Sequence, residues 1–292
     1  MKCYRFTYES KTSFSVPVTE HSFMLRSVPM TDGEGGTQRL LSHSLRITPG
    51  PDSLSEDRDA WGARTDYGIV RAPHREFGYC SSGTVEVTGG PHPDPSPSPM
   101  FLLPTGLTAF VPSMRSFIPG KAMPGTMVPG RTALALATEM AESVFRGIAY
   151  VPGSTGIDTT AGTAFMQGKG VCQDFSHILI ALCRECGIPA RYVCGFVIGE
   201  GETHAWTEIW SEGSWYPLDA TSGLPCDDRY IAVAYGRDAR DCSVSRGVFT
   251  GAALQQTSTR VLVEELDEAA AAGFMGEAGF IEEANSLEDE MR

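Results

Sequence analysis

The sequence predicts an α+β protein: an all-β, sandwich-like N-terminal domain, then a core in which a helix carrying a cysteine at its N-terminus packs on an antiparallel sheet. Three observations predict it. Residues 1–90 alternate apolar and polar side chains at period two, as in Phe6–Tyr8 and the run TVEVT at 84–88, between clusters of Gly, Pro, Asp and Ser. Five prolines crowd residues 91–99 (PHPDPSPSP), which fixes φ and removes backbone donors, so this stretch reads as a stiff extended connector. Beyond it, two helical patterns give way to three runs of period two.

The helical patterns come first. In 131–147 (RTALALATEMAESVFRG), Leu134, Ala137, Ala141 and Val144 recur at helical spacing behind a Pro-Gly pair. In 172–186, Phe175, Ile178, Leu179, Leu182, Cys183 and Cys186 form one continuous apolar face. Gly187 just past the end and Pro189 beyond it form a stop signal. Strands are expected at 190–198 (ARYVCGFVI), 203–210 (THAWTEIW) and 214–220 (SWYPLDA), with GEGE and SEG as turns, and a last one at 259–264. The expected organisation is therefore an N-terminal domain at 1–90, a linker and connecting segment at 91–130, a core at 131–264, and a tail at 265–292. Few large apolar residues occur in that Ala-, Gly- and Glu-rich tail, which reads as a loosely held helix or a disordered segment.

Composition narrows the function classes. The formal charge is −13, but residues 264–292 hold ten acidic side chains against Arg292 alone. The remainder carries only about −4. A basic stripe is missing, which argues against a nucleic-acid partner. No apolar run is long enough for a secretory signal or a membrane span, so a cytoplasmic protein with no membrane partner is expected. The eight cysteines (3, 80, 172, 183, 186, 194, 226 and 242) are then expected as free thiols rather than a disulfide framework. Nothing in the sequence sets the oligomeric state.

The chemistry concentrates in GKGVC at 168–172. Gly170 lets the chain turn into a helix that Cys172 opens. A thiol there feels the positive end of the helix dipole and unpaired N–H groups, which favour the nucleophilic thiolate and can hold an oxyanion. The thiolate needs a base. His177 lies five residues along the helix, about 140° around it, and points away; it reads as a helix-surface or supporting residue. His204 opens one strand and Asp219 closes the next. A turn near 211–214 that pairs Trp210 with Trp215 or Gly213 puts residue 204 opposite 221 or 219. Either way His204 and Asp219 share a face, about 5–8 Å apart at Cβ. That suits a carboxylate that orients an imidazole. Singly, each residue has an ordinary structural reading: a small buried Cys, a strand-start His, a turn Asp. Order and spacing together favour a triad of Cys172, His204 and Asp219.

At this point residues 150–250 resemble the core of bacterial transglutaminase-like proteins. The resemblance rests on GKGVCQDFSHILIALCRECGIPARYVCGF (168–196), THAWTEIW (203–210), WYPLDATSG (215–223) and YIAVAYGRDARDCSVSRGVFTG (230–251). Residues 1–90 are similar to the β-rich domain that precedes this core in many such proteins. The resemblance implies a papain-like fold, with Cys172, His204 and Asp219 as catalytic residues. It also implies acyl transfer from an amide-containing peptide or protein substrate. Hydrolysis is the first expectation, because water needs no dedicated acceptor site; transamidation with the same triad and a non-catalytic binding module on the same fold are the alternatives. Where the family often has Asp-Pro-Thr, this chain has Asp219-Ala220-Thr221. Gln173 and Trp206 are the residues considered for lining the site or donating to an oxyanion.

No cofactor and no metal are expected. Cys183 and Cys186 lack a second ligand pair for zinc and lie on the apolar helix face, so a redox or metal role yields to core packing. HExxH, P-loop, GxGxxG and EF-hand patterns are absent. Trp206, Trp210 and Trp215 either line a groove or pack a core.

Overall fold

The computed structural model describes residues 1–32, 36–120, 125–126 and 130–267. Its longest element is the first strand, Lys2–Leu25. The first part of that strand pairs with His74–Val87 and Gln255–Glu265, and the last part with Arg64–Val70 and Ser245–Thr250, all antiparallel. The register breaks between Ser13 and Val18 and again between Thr19 and Ser22, around Pro17 and the positive φ of Glu20. Bulges bend a strand and raise its twist, so one strand serves both halves of an eight-stranded sheet. Gln38–Thr48, Ser53–Arg58 and Gly199–Gly201, the last beside Gln255–Glu265, complete those halves.

The second sheet runs Leu224–Pro225, Ser214–Asp219, His204–Ser211, Ala190–Val197, Tyr230–Gly236, with His92–Pro93 added beside Ser214–Asp219. Both its faces are covered. Helices Ala133–Gly147, Ala161–Gln167 and Cys172–Glu185 pack on one face. The N-terminal sheet covers the other, where Phe196, Ile231 and Val233 join Tyr4, Phe6 and Tyr8 in one core. Phe196 stacks at 5.9 Å on Phe6 and lies 5.6 Å from Tyr8.

Several expectations change. The final strand was expected in the core segment 131–264; it runs Gln255–Glu265 and returns to the N-terminal sheet, as does Ser245–Thr250. Position 265, assigned to the tail, ends that strand, and the Leu266 N–H donates to the Cys3 carbonyl at 2.8 Å. Residues 268–292 lie outside the described residues. The proline-rich connector is pinned rather than free. Trp210 Nε1 donates to the Asp94 carbonyl and Trp215 Nε1 to the Asp94 carboxylate, both at 2.8 Å. Buried Arg184 holds the segment further on at two points, the Phe101 carbonyl (2.9 Å) and Thr108 Oγ1 (2.8 Å). Trp210 and Trp215 therefore anchor the connector instead of lining a groove. Among the described residues no helix is long and apolar enough to cross a membrane.

Candidate active site

The segment before Cys172 is shaped by glycines at two positions. Gly168, at φ 65°, ends the Ala161–Gln167 helix in the left-handed region, where an L side chain is strained. Lys169–Gly170 then pairs in parallel with Ala149–Tyr150. Gly170 is required by crowding and not by a special φ: an added Cβ would meet the Asp174 Cβ at 2.6 Å. Asp174 is fully buried, and its Oδ2 accepts from the Val171 N–H at 2.8 Å and the Thr155 hydroxyl at 2.6 Å. This satisfies one of the orphan donors at the helix start and fixes the turn that presents Cys172. The helix ends as expected: Gly187 has φ 72°, its N–H meets the Arg184 carbonyl, and the Ile188 N–H meets the Cys183 carbonyl.

His204 begins its strand and Asp219 ends the neighbouring one. Trp210 pairs with Trp215, which puts Asp219 one diagonal from His204 on the same face. His204 Nε2 donates to Asp219 Oδ2 at 2.9 Å. The Cys172 side chain lies close enough to the imidazole to influence its ionisation, and with Nε2 bonded to Asp219 the free ring nitrogen is Nδ1. Asp219 is buried, and four donors meet its carboxylate. Thr221 gives its N–H (2.8 Å) and hydroxyl (2.7 Å) to Oδ1, and Tyr230 adds its hydroxyl to Oδ2 at 2.9 Å. Thr221 thus closes an Asx-type turn on Asp219, which holds the carboxylate in place.

The electrostatics follow from these contacts. Burial on its own would lower the His204 pKa; the hydrogen bond and negative charge of Asp219, with a further contribution from the nearby Cys172, outweigh it and hold the imidazole up at about 9. Burial would raise Asp219, yet the bonds from His204 and Thr221 keep it below its ordinary value. The other seven thiols are all pushed upward, first by burial: Cys186 to about 11, Cys194 to about 12, and Cys183 further. Cys183 and Cys186 are buried in the helix core. All eight cysteines are free. Among the described residues no group of three or more His, Cys, Asp or Glu is placed to hold a metal.

The structure brings Cys172, His204 and Asp219 together and places the remaining sequence-stated residues elsewhere. His177 is not on the helix surface. It is fully buried, its Nε2 accepts the Ala239 N–H at 3.1 Å, and its ring lies against Tyr192. Burial lowers its pKa to about 4. Gln173 points its amide at the carbonyls of Gly156 and Ile157. Trp206 is buried beside His204 and Tyr230, with its indole N–H enclosed and without a hydrogen-bond partner. Tyr230 and Thr221 join the site without having been indicated by the sequence. Thr221 carried a signal, since a Thr two residues after an Asp is a turn pattern. Tyr230 reaches Asp219 only through the sheet, so it leaves no local mark.

Comparison with known proteins matches these elements. Residues 124–220 match the transglutaminase-like superfamily core, and residues 4–86 match the bacterial transglutaminase-like N-terminal region. Proteins of Mycobacterium bovis and Mycobacterium tuberculosis, described as uncharacterized, are each 30% identical over 84% of this chain and 87% of their own length. One of Mycobacterium leprae is 32% identical over 66% of this chain and 75% of its own. A candidate cysteine protease from Cytophaga hutchinsonii has the same fold, with TM-score 0.73, 23% identity, and coverage of 91% of this chain and 92% of that one. The chain belongs to the transglutaminase-like superfamily, with a bacterial transglutaminase-like N-terminal region ahead of the core.

Proposed function

We propose that this protein is a cysteine hydrolase that cleaves an amide bond in a peptide or protein through a thioester on Cys172. The observation that carries the reading is the His204–Asp219 pair, its carboxylate met by four donors, beside the helix start that presents Cys172. Cys172, at the helix start, attacks the carbonyl carbon as thiolate, and the C=O electron pair moves onto oxygen. The Cys172 N–H, which has no acceptor within its helix, is the donor available to that oxygen. The tetrahedral intermediate collapses, the C–N bond breaks, and His204 gives its proton to the leaving amine. Water then loses a proton to His204 and adds to the thioester; the C–S bond breaks, and the acid and free Cys172 are released. Hydrolysis is favoured over transfer to an amine because the rim is open to water: Cys172 is half-buried and Tyr150 is 52% exposed.

A pH profile of iodoacetamide alkylation with peptide mapping tests the reading. The other thiols are all pushed up, so labelling is expected to be fastest at Cys172 and to slow in His204→Ala. Because the folded His204 value is raised to about 9, the imidazolium persists above its ordinary range and is lost as pH rises through that value. Turnover, which needs that proton for the leaving amine, is expected to decline above about pH 9. Labelling of Cys172 no faster than the other thiols, with no effect of His204→Ala, would leave a binding module on an inherited fold.

A further inference from the structure

The N-terminal sheet reaches toward the triad with one buried polar side chain. Gln38 opens the strand Gln38–Thr48, pairs there with Val87, and is 6% exposed. Its amide crosses to Ala232 of Tyr230–Gly236. Among the described residues that strand is the last of the second sheet, so no strand lies along its outer edge. The Gln38 amide takes that place at a single residue. Oε1 accepts the Ala232 N–H at 2.8 Å, and Nε2 donates to the Ala232 carbonyl at 2.8 Å and the Met30 carbonyl at 2.7 Å. The Met30 N–H adds a second bond to the Ala232 carbonyl at 2.9 Å. Ala232 is also where the strand is irregular. It stands opposite Gly195 while Ala234 stands opposite Cys194, so one extra residue lies between them. Such a bulge re-aims the side chains beside it. Gly195 pairs on its other side with His204, so the bulge lies in line with the imidazole. Two residues before Ala232, Tyr230 gives its hydroxyl to Asp219 Oδ2 at 2.9 Å, the same oxygen that takes His204 Nε2.

Resting on the hydrolase reading above, we propose that Gln38 is a positioning residue: it fixes the bulge at Ala232 and so holds the Tyr230 hydroxyl on Asp219. Successive strand residues face opposite ways, so a bulge displaced by one residue toward Tyr230 turns that ring over. The phenol then faces the N-terminal core, where Ile231 and Val233 pack, and Asp219 loses a donor. Gln38 opposes the displacement. A shift of one residue turns the Ala232 N–H and carbonyl away from the outer edge and leaves the buried amide without its Ala232 partners, which is costly. By this route the N-terminal region supports the triad without touching it.

The test is a double-mutant cycle on single-turnover acylation of Cys172 by p-nitrophenyl acetate, followed by mass mapping. Gln38→Met keeps the length of the side chain and removes the amide; Tyr230→Phe keeps the ring and removes the hydroxyl. Each single variant is expected to slow acylation by about 10- to 100-fold. The double variant is expected within about threefold of the slower single, because without the hydroxyl Gln38 has nothing to hold on Asp219. Effects that multiply in the double variant overturn the proposal, as does either single variant at the wild-type rate. Gln38→Glu adds a readout that lost packing does not move. As a neutral acid it keeps an oxygen for the Ala232 N–H and an O–H for a carbonyl; once ionised it only accepts. Its rate relative to wild type is expected to be near one at acid pH and to fall as it ionises, with circular dichroism unchanged. A folded Gln38→Glu that is slow at every pH overturns the proposal, and this variant decides it if Gln38→Met does not fold. Absence of acylation in the wild-type protein is the distinct failure, because it removes the hydrolase reading itself and this proposal with it.

Discussion

Asp219→Asn is expected to slow acylation of Cys172 by about 10³–10⁴-fold without unfolding the protein. The reason lies in the donors around the carboxylate. Oδ1 takes two bonds from Thr221, and Oδ2 takes one each from His204 Nε2 and Tyr230. An amide has one acceptor oxygen and an NH2 group that only donates. With the oxygen kept by Thr221, the NH2 faces two donors. His204 relieves the conflict by moving its proton to Nδ1, which leaves nothing on the Cys172 side to accept the thiol proton. Imidazole orientation survives while the tautomer is wrong. His204→Ala, which removes the base outright, is expected to cost about 10²–10⁴. Single-turnover acylation, with circular dichroism to verify the fold, separates these outcomes. Asp219→Asn within about threefold of wild type would show that the carboxylate is only a turn residue.

The largest effect on stability is expected away from the chemistry. Arg191 and Glu208 face each other across adjacent strands, with Arg191 Nε 2.7 Å from Glu208 Oε2, and both are buried. The guanidinium lies 4.3 Å from the Trp215 ring centre and 3.8 Å from that of Tyr235, and it also meets His92 of the connector. Removing one partner leaves an uncompensated charge in the interior. Glu208→Ala is therefore expected to destabilise by about 3–5 kcal/mol, read as a lower urea midpoint at unchanged slope. Replacing both partners with apolar residues of similar size is expected to recover much of that loss. The pair joins the second sheet to the connector, so protease cleavage near 91–99 is expected to rise in Glu208→Ala.

Much of the core was legible because its elements have one buried face. The apolar face of Cys172–Glu185 and its Gly187 stop define that helix to within a residue. The three strands that follow obey period two, and their turn residues set the register that brings His204 and Asp219 together. Tyr230–Gly236 was not read as a strand for the opposite reason. Ile231 and Val233 face the N-terminal core while Ala232 and Ala234 face the helices, so the run is apolar throughout and shows no alternation. The return of Gln255–Glu265 to the first strand is a pairing across most of the chain length, with no local signature. The connector misled because prolines report a stiff backbone and are silent on what Trp210, Trp215 and Arg184 do to it. At the site, the three reacting residues were legible through their motifs. The groups that aim them, Tyr230, Thr221 and Asp174, act mainly through tertiary contacts and turns.

The central claim is that Cys172 forms a thioester that water resolves. Intact-mass analysis during turnover of an activated ester, quenched at acid and mapped by peptide, tests it most directly. One acyl group on Cys172, formed faster than product release in wild type and absent from Cys172→Ala, with the free acid as product, is the expected result. An acyl group spread over several cysteines, or none on Cys172 while product accumulates, would contradict it.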